Sequence, residues 1–167
     1  MRTASDVIRE LDLAPLPEEG GFFRRVYTHT ATLPEDPAAP GRPVASAILF
    51  LLTGTRFSAL HRLSADELFH FHAGSPVAML QLHPDGTSEM PRLGDPTEPE
   101  NRSMALVPGG SWQGTRLLDE DPEAFALMGV SVHPGFDWRD FALAEREPLL
   151  RRFPDRADAI RRLTRDA

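Results

Sequence analysis

The sequence predicts a mainly β chain, a barrel or sandwich with a short helix toward each end. Three observations predict it. From Val44 onward, short apolar runs recur at intervals of roughly eight to twelve positions, the spacing of a many-stranded β fold. Turn residues punctuate them at Gly54, Gly74–Pro76, Pro84-Asp85-Gly86, Pro108-Gly109-Gly110 and Pro134-Gly135. No strand-length run alternates with a long helical pattern, which removes α/β architectures built on a parallel sheet.

Taken in order, Ser5 to Leu13 reads as an amphipathic helix, with Val7, Ile8 and Leu11 on one side and Asp6, Arg9, Glu10 and Asp12 elsewhere; Pro15 and Pro17 stop it. Gly20 to Thr32 reads as extended, two glycines followed by Phe22, Phe23, Val26 and Tyr27. A Pro- and Ala-rich loop follows from Pro34 to Pro43. The strand candidates are Ala45–Leu52, Phe57–Leu63, Glu67–His72, Val77–His83, Ser103–Val107, Gly114–Leu118 and Phe125–Val132, with Arg92–Asn101 a second polar loop. After Phe141 the composition turns helical. Pro154-Asp155 opens a last helix whose inner face carries Ala157, Ile160 and Leu163. Residues 1–167 are expected to form one domain, with the barrel at about 20–145 and a helical extension at about 146–165.

Composition excludes several chemistries. The chain of 167 residues has no Cys, so thiolate nucleophiles, redox pairs and Cys-ligated metal are absent. All 18 basic residues are Arg, which removes Schiff-base and phosphate-loop mechanisms that need Lys. A net charge of -7 argues against nucleic acid as a partner. No stretch has the length of a signal-peptide core or a membrane span, so a cytoplasmic protein without membrane contact is expected. Gly109-Gly110-Ser111-Trp112-Gln113 approaches a serine-hydrolase elbow, but Gln113 replaces its closing glycine and no helix follows.

Five of the six His residues fall in the β region: His61, His70, His72, His83 and His133. A strand His is more often a hydrogen-bonded filler than a ligand or catalyst. His61 stands out by its spacing. Glu67 follows it by six positions and Gly74 follows Glu67 by seven, while Pro108, Gly110 and Gln113 form a second spaced set. These residues resemble the two motifs of the cupin superfamily, with Leu63 where the first motif has its second His and Gln113 where the second motif has its His. Gly20-Gly21-Phe22-Phe23-Arg24, the Ser46–Leu52 run, Asp66-Glu67, Trp112-Gln113 and Pro134-Gly135-Phe136-Asp137 extend the likeness over about residues 5 to 145. In that order they are similar to cupin family five, also described as domain of unknown function 985.

The resemblance implies a double-stranded β-helix, a jelly-roll barrel with a pocket in its mouth and a homodimeric assembly. It also implies kinship with sugar-nucleotide epimerases of the rhamnose pathway, and it brings no established reaction. Whether the chain is an enzyme stays open. The leading expectation is a small polar metabolite, sugar or sugar-nucleotide-like, bound in the barrel, with epimerase- or isomerase-type proton transfer by His61 as base, supported by Glu67. The alternatives are a non-enzymatic ligand-binding or storage-type dimer and a metal-dependent, dioxygenase-like cupin. Arg24, Tyr27, Gln113, Trp112 and Phe69 are the expected substrate contacts. Arg24 would fork onto a carboxylate or phosphate, and Trp112 would sit at the pocket rim. No cofactor is expected. If a divalent metal is weakly bound, its ligands are His61, Glu67 and Gln113, of which an amide is poor and the neighbouring Leu63 offers nothing. Strand alternation puts Glu67, Phe69 and Phe71 on one face and His70 and His72 on the other, unless a bulge reverses it.

Overall fold

The computed structural model describes residues 2–33 and 40–165. Helix α1 (Ala4–Glu10) precedes strands β1 (Ala14–Pro15), β2 (Phe22–Thr28), β3 (Ser46–Thr53), β4 (Ser58–Arg62), β5 (Asp66–Gly74), β6 (Val77–Leu82), β7 (Ser88–Glu89), β8 (Arg92–Leu93), β9 (Asn101–Arg102), β10 (Met104–Val107), β11 (Trp112–Leu117), β12 (Phe125–His133) and β13 (Ala142–Leu143). Helices α2 (Arg146–Arg152) and α3 (Ala157–Leu163) close the chain. One sheet has the order β1-β2-β3-β12-β5-β10, the other β13-β4-β11-β6-β8-β9 with β7 beside β6. The long strands from β3 to β6 and from β10 to β12 switch sheet at every step, which is how a jelly roll places sequence neighbours on opposite walls.

Alternation writes the core. In β12, Ala126, Met128 and Val130 are buried toward the barrel interior, where they join Phe50, Leu52, Phe69, Met79, Val107 and Leu117, while Val132 packs with Leu63 and Ala65. β3 instead is apolar on both faces because α1 covers its outer side: Val7 and Leu13 pack with Leu51, Leu49 and Phe22. The outer face of β4 and β6 carries Leu60, Leu80 and Leu82, which bury against Leu149, Phe153, Ile160 and Leu163 of the C-terminal helices. The expected inner face of the last helix therefore holds at Ile160 and Leu163.

The structure also refines several boundaries. Helix α1 starts earlier and ends earlier than the apolar pattern suggests. Thr3 and Asp6 form a reciprocal capping box, and Asp12 turns the chain with φ 50 before either proline is reached. Within the expected polar loop Arg92–Asn101, both ends pair as the parallel strands β8 and β9. After Phe141 the chain first adds β13 to the edge of β4 before turning helical. Residues 34–39 of the Pro-rich loop lie outside the described residues; Thr32 and Pro43 on either side bridge to each other. No described helix is long and apolar enough to cross a membrane.

Candidate functional site

Strand β4 lies beside β11 with His61 opposite Gln113, so two expected site residues are cross-strand neighbours. Glu67 comes from β5 on the opposite wall. The amide of Gln113 spans the gap: its Nε2 donates to His61 Nε2 at 2.8 Å and to Glu67 Oε2 at 3.2 Å. His61 Nδ1–H donates to the Ala59 carbonyl at 2.7 Å, which leaves Nε2 as the acceptor of the neutral ring. Phe141 stacks on the imidazole at 5.3 Å. All three polar residues are buried.

A fourth member was not anticipated. Glu19, in the turn before β2, places Oε2 3.7 Å from His61 Nε2 and accepts a hydrogen bond from Ser58 at 2.8 Å. Two backbone features hold it there. The Glu19 carbonyl accepts from Ala59 N–H at 2.8 Å, and Gly20 and Gly21, at φ 105 and 76, lie so close to neighbouring strands that added Cβ atoms would meet the Phe57 and Leu51 carbonyls at 2.6 and 2.8 Å. The glycine pair read as the start of a strand is thus also the device that aims a carboxylate into the barrel.

Electrostatics follow from this crowding. Burial raises the Glu67 carboxyl, His61 partly offsets the rise, Glu19 adds to it and the Gln113 N–H pulls it back; the result is about 7 against an ordinary 4.5. Burial alone would lower the His61 imidazole, but Glu19, Glu67 and the Ala59 carbonyl outweigh it and the net shift is upward. Burial and the neighbouring charges thus move both Glu67 and His61 upward, and the Glu67 carboxyl is brought close to neutral pH.

His61, Glu67 and Glu19 open onto a cavity of about 160 Å³. Phe23, Phe50, Phe69, Val130 and Phe136 contribute apolar wall, Leu63 lines it beside His61, and Arg25 and Trp138 also line it. Phe69 is where the sequence put it. Gln113 braces His61 and Glu67 from behind and is not among the residues that line the cavity; its Oε1 has no partner among the described residues.

Three expected substrate contacts lie elsewhere. Arg24 sits opposite Leu49 on the outward row of β2, and its neighbour Arg25 pairs with Ile48 on the inward row; both are exposed, but Arg25 lines the cavity and Arg24 does not. Tyr27 would share that inward row by alternation. A bulge between Arg25 and Tyr27 reverses the parity, so Tyr27 pairs with Ala47 and stands 49% exposed against His29. Trp112 turns away from the barrel into the apolar layer under the C-terminal helices, with the Arg62 guanidinium over its ring. A bulge in β5 falls at His72, beyond the site, so His70 and His72 stay off the inner face that carries Glu67 and Phe69.

The His61 Nε2 lone pair meets an amide N–H, Leu63 is hydrocarbon, and the described residues contain no cluster of three or more His, Cys, Asp or Glu able to hold an ion.

Comparison with known proteins agrees with this architecture. A family described as "Cupin superfamily (DUF985)" matches residues 5–144. A solved protein from Shewanella oneidensis is similar over 100% of both chains at 34% identity and TM-score 0.87. A hypothetical protein from Leishmania major is similar over 99% of this chain and 100% of its own, at 26% identity and TM-score 0.85. Oxalate decarboxylase from Bacillus subtilis shares the fold alone, at 16% identity and TM-score 0.56, across 92% of this chain and 37% of the enzyme. No curated protein matches the chain.

Proposed function

The chain belongs to the cupin superfamily, in the family also described as DUF985, and from that premise we propose that its cavity binds a small polar metabolite and that Glu67, with His61, moves a proton on it. The observation that carries this reading is the Glu67 carboxyl, buried at the cavity wall and held near 7 between an imidazole and a second carboxylate. A group poised there both takes and returns a proton at neutral pH, as epimerisation or isomerisation beside a carbonyl needs.

The roles differ from the expected His61 base. Both nitrogens of the neutral ring are engaged, Nδ1 with Ala59 and Nε2 with Gln113, so the imidazole supports charge while Glu67 carries the transfer. The reading needs no metal. Native mass spectrometry of freshly purified protein identifies the copurified small molecule. Incubating that molecule with the protein in D2O should place deuterium at one C–H position, at a rate cut at least about a hundredfold by Glu67→Gln. Binding without exchange would replace this reading with a ligand-binding or storage role.

We further propose a homodimer formed through the outer face of the first sheet, where Val26, Tyr27, Met104 and Leu106 are exposed. Analytical ultracentrifugation should show twice the monomer mass, and Leu106→Arg should halve it.

A further inference from the structure

Among the described residues, Arg25 is the one cationic side chain other than His61 that lines the cavity. Its guanidinium is partly desolvated, and its pKa is lowered by that burial. No described carboxylate pairs with it, and the carboxylates in the same cavity, Glu19 and Glu67, associate with Ser58, His61 and Gln113 instead. Arg25 is exposed as a whole while lining the cavity, so a guanidinium with no carboxylate partner stands at the cavity's edge, free to meet an anion. Alternation from Phe23 puts Arg25 on the inner row, and the β2 bulge that follows takes Tyr27 off it.

A second feature stands in the same cavity wall. Trp138 lines the cavity yet is 50% exposed, which places its indole at the mouth. It meets Phe136 edge-on at 4.9 Å and Phe141 at 5.2 Å, and Phe141 in turn stacks on His61. The turn that carries it is fixed at both ends: Asp137 caps it, and Asp140 is ion-paired with the buried Arg42. An exposed aromatic held this firmly offers a flat surface to a sugar ring or carbon chain.

We propose that the ligand of this cavity is an anion, a small hydroxy- or sugar acid or its phosphate-monoester counterpart, whose charged group is held by Arg25 and whose carbon skeleton rests on Trp138. The carboxylates of Glu19 and Glu67 repel the anionic end, so the ligand enters with its neutral, C–H-bearing end toward Glu67. The inference rests on the cavity being the binding site proposed above, and it adds the charge and orientation of what binds. The carboxylate and phosphate share the chemistry of a bidentate acceptor for the fork of an Arg side chain.

Trp138 supplies its own readout. Trp112→Phe, outside the cavity, leaves Trp138 as the sole tryptophan of the two. In that background the probes are glycerate and gluconate, their phosphate counterparts glycerol 3-phosphate and glucose 1-phosphate, and the neutral parents glycerol and glucose. At least one anion should change the Trp138 emission with saturation, its neutral parent should bind at least about tenfold more weakly, and Arg25→Gln should weaken the anion by about ten- to a hundredfold. The carboxylate and phosphate arms show which anion is preferred. Equal binding of the neutral parents, unchanged affinity in Arg25→Gln, or no saturation by any anion would each overturn the inference. Anion binding through Arg25 without deuterium exchange would retire the proton transfer and leave this assignment standing, whereas exchange on a neutral sugar would do the reverse.

Discussion

Replacing Glu67 with Gln should stabilise the protein at alkaline pH and change it little at acidic pH. Glu67 is 5% exposed, and its carboxyl titrates at about 7, where the ordinary value is 4.5. Between those values the folded chain holds a proton that the unfolded chain has already released. The group's contribution to stability is therefore complete below 4.5, declines as pH rises, and is lost once pH passes about 7. At 1.36 kcal/mol per pH unit, that interval corresponds to about 3 kcal/mol. The introduced amide would match the protonated carboxyl in shape, keep an oxygen to accept from Gln113 and never ionise. Urea unfolding of both proteins from about pH 5 to about pH 9 is the assay. The substitution should raise stability by about 3 kcal/mol at the alkaline end and by less than about 1 kcal/mol at the acidic end. With a slope of about 2 kcal/mol per molar urea, the alkaline midpoint moves by about 1.5 M. His61, also shifted upward, acts with the same sign, since its contribution too fades as pH climbs through its folded value. The substitution removes one of its anionic neighbours and flattens that slope further. A stability difference constant across pH would refute the argument that burial sets the Glu67 titration, and a less stable alkaline variant would refute the claim that its charge is a cost.

Gln113→Leu should destabilise the fold by about 2–4 kcal/mol, because the buried His61 Nε2 and Glu67 Oε2 both lose their donor at once; thermal unfolding reads it, and a loss under about 0.5 kcal/mol would show the bridge to be idle. The double substitution Leu63→His with Gln113→His should convert a poor donor set into three imidazoles and one carboxylate. Metal analysis after desalting should then find close to one nickel or manganese per chain, well above the parent. An unchanged metal content would mean that positions 63 and 113 do not converge with His61 and Glu67 on a common point.

Much of the architecture was legible because local pattern and turn chemistry agree along most of this chain. The period-two runs around Ala126–Val132 and the Gly and Pro punctuation suffice for a many-stranded barrel, and the spaced His61, Glu67, Gly74, Pro108, Gly110 and Gln113 suffice for its kind. Glu67 and Phe69 share the inner face because that part of β5 is unbroken and parity carries from one residue to the next, whereas the ladder of β4 with β11 shifts register just before His61, which the motif spacing and not parity singled out. Parity fails at a bulge, and one bulge after Arg25 was enough to send Tyr27 outward. Arg24 shows a related failure. Neighbouring residues of identical type point to opposite faces, and only the register with β3 decides that Arg25 is the inner one.

What the amino-acid order determined by itself was the periodicity and the placement of its breaks, since these are properties of a few successive residues. Glu19 and Trp138 belong to the other category. Glu19 lies 42 positions before His61, and its approach depends on two glycines nesting against the backbones of Phe57 and Leu51; Trp138 reaches the mouth through a turn tied to Arg42. Such meetings depend on where distant segments come to rest, as does the elevated titration of Glu67, which needs burial and the Glu19 carboxylate together. Charge, solvent exclusion and distance act through space, so only the packed barrel decided them.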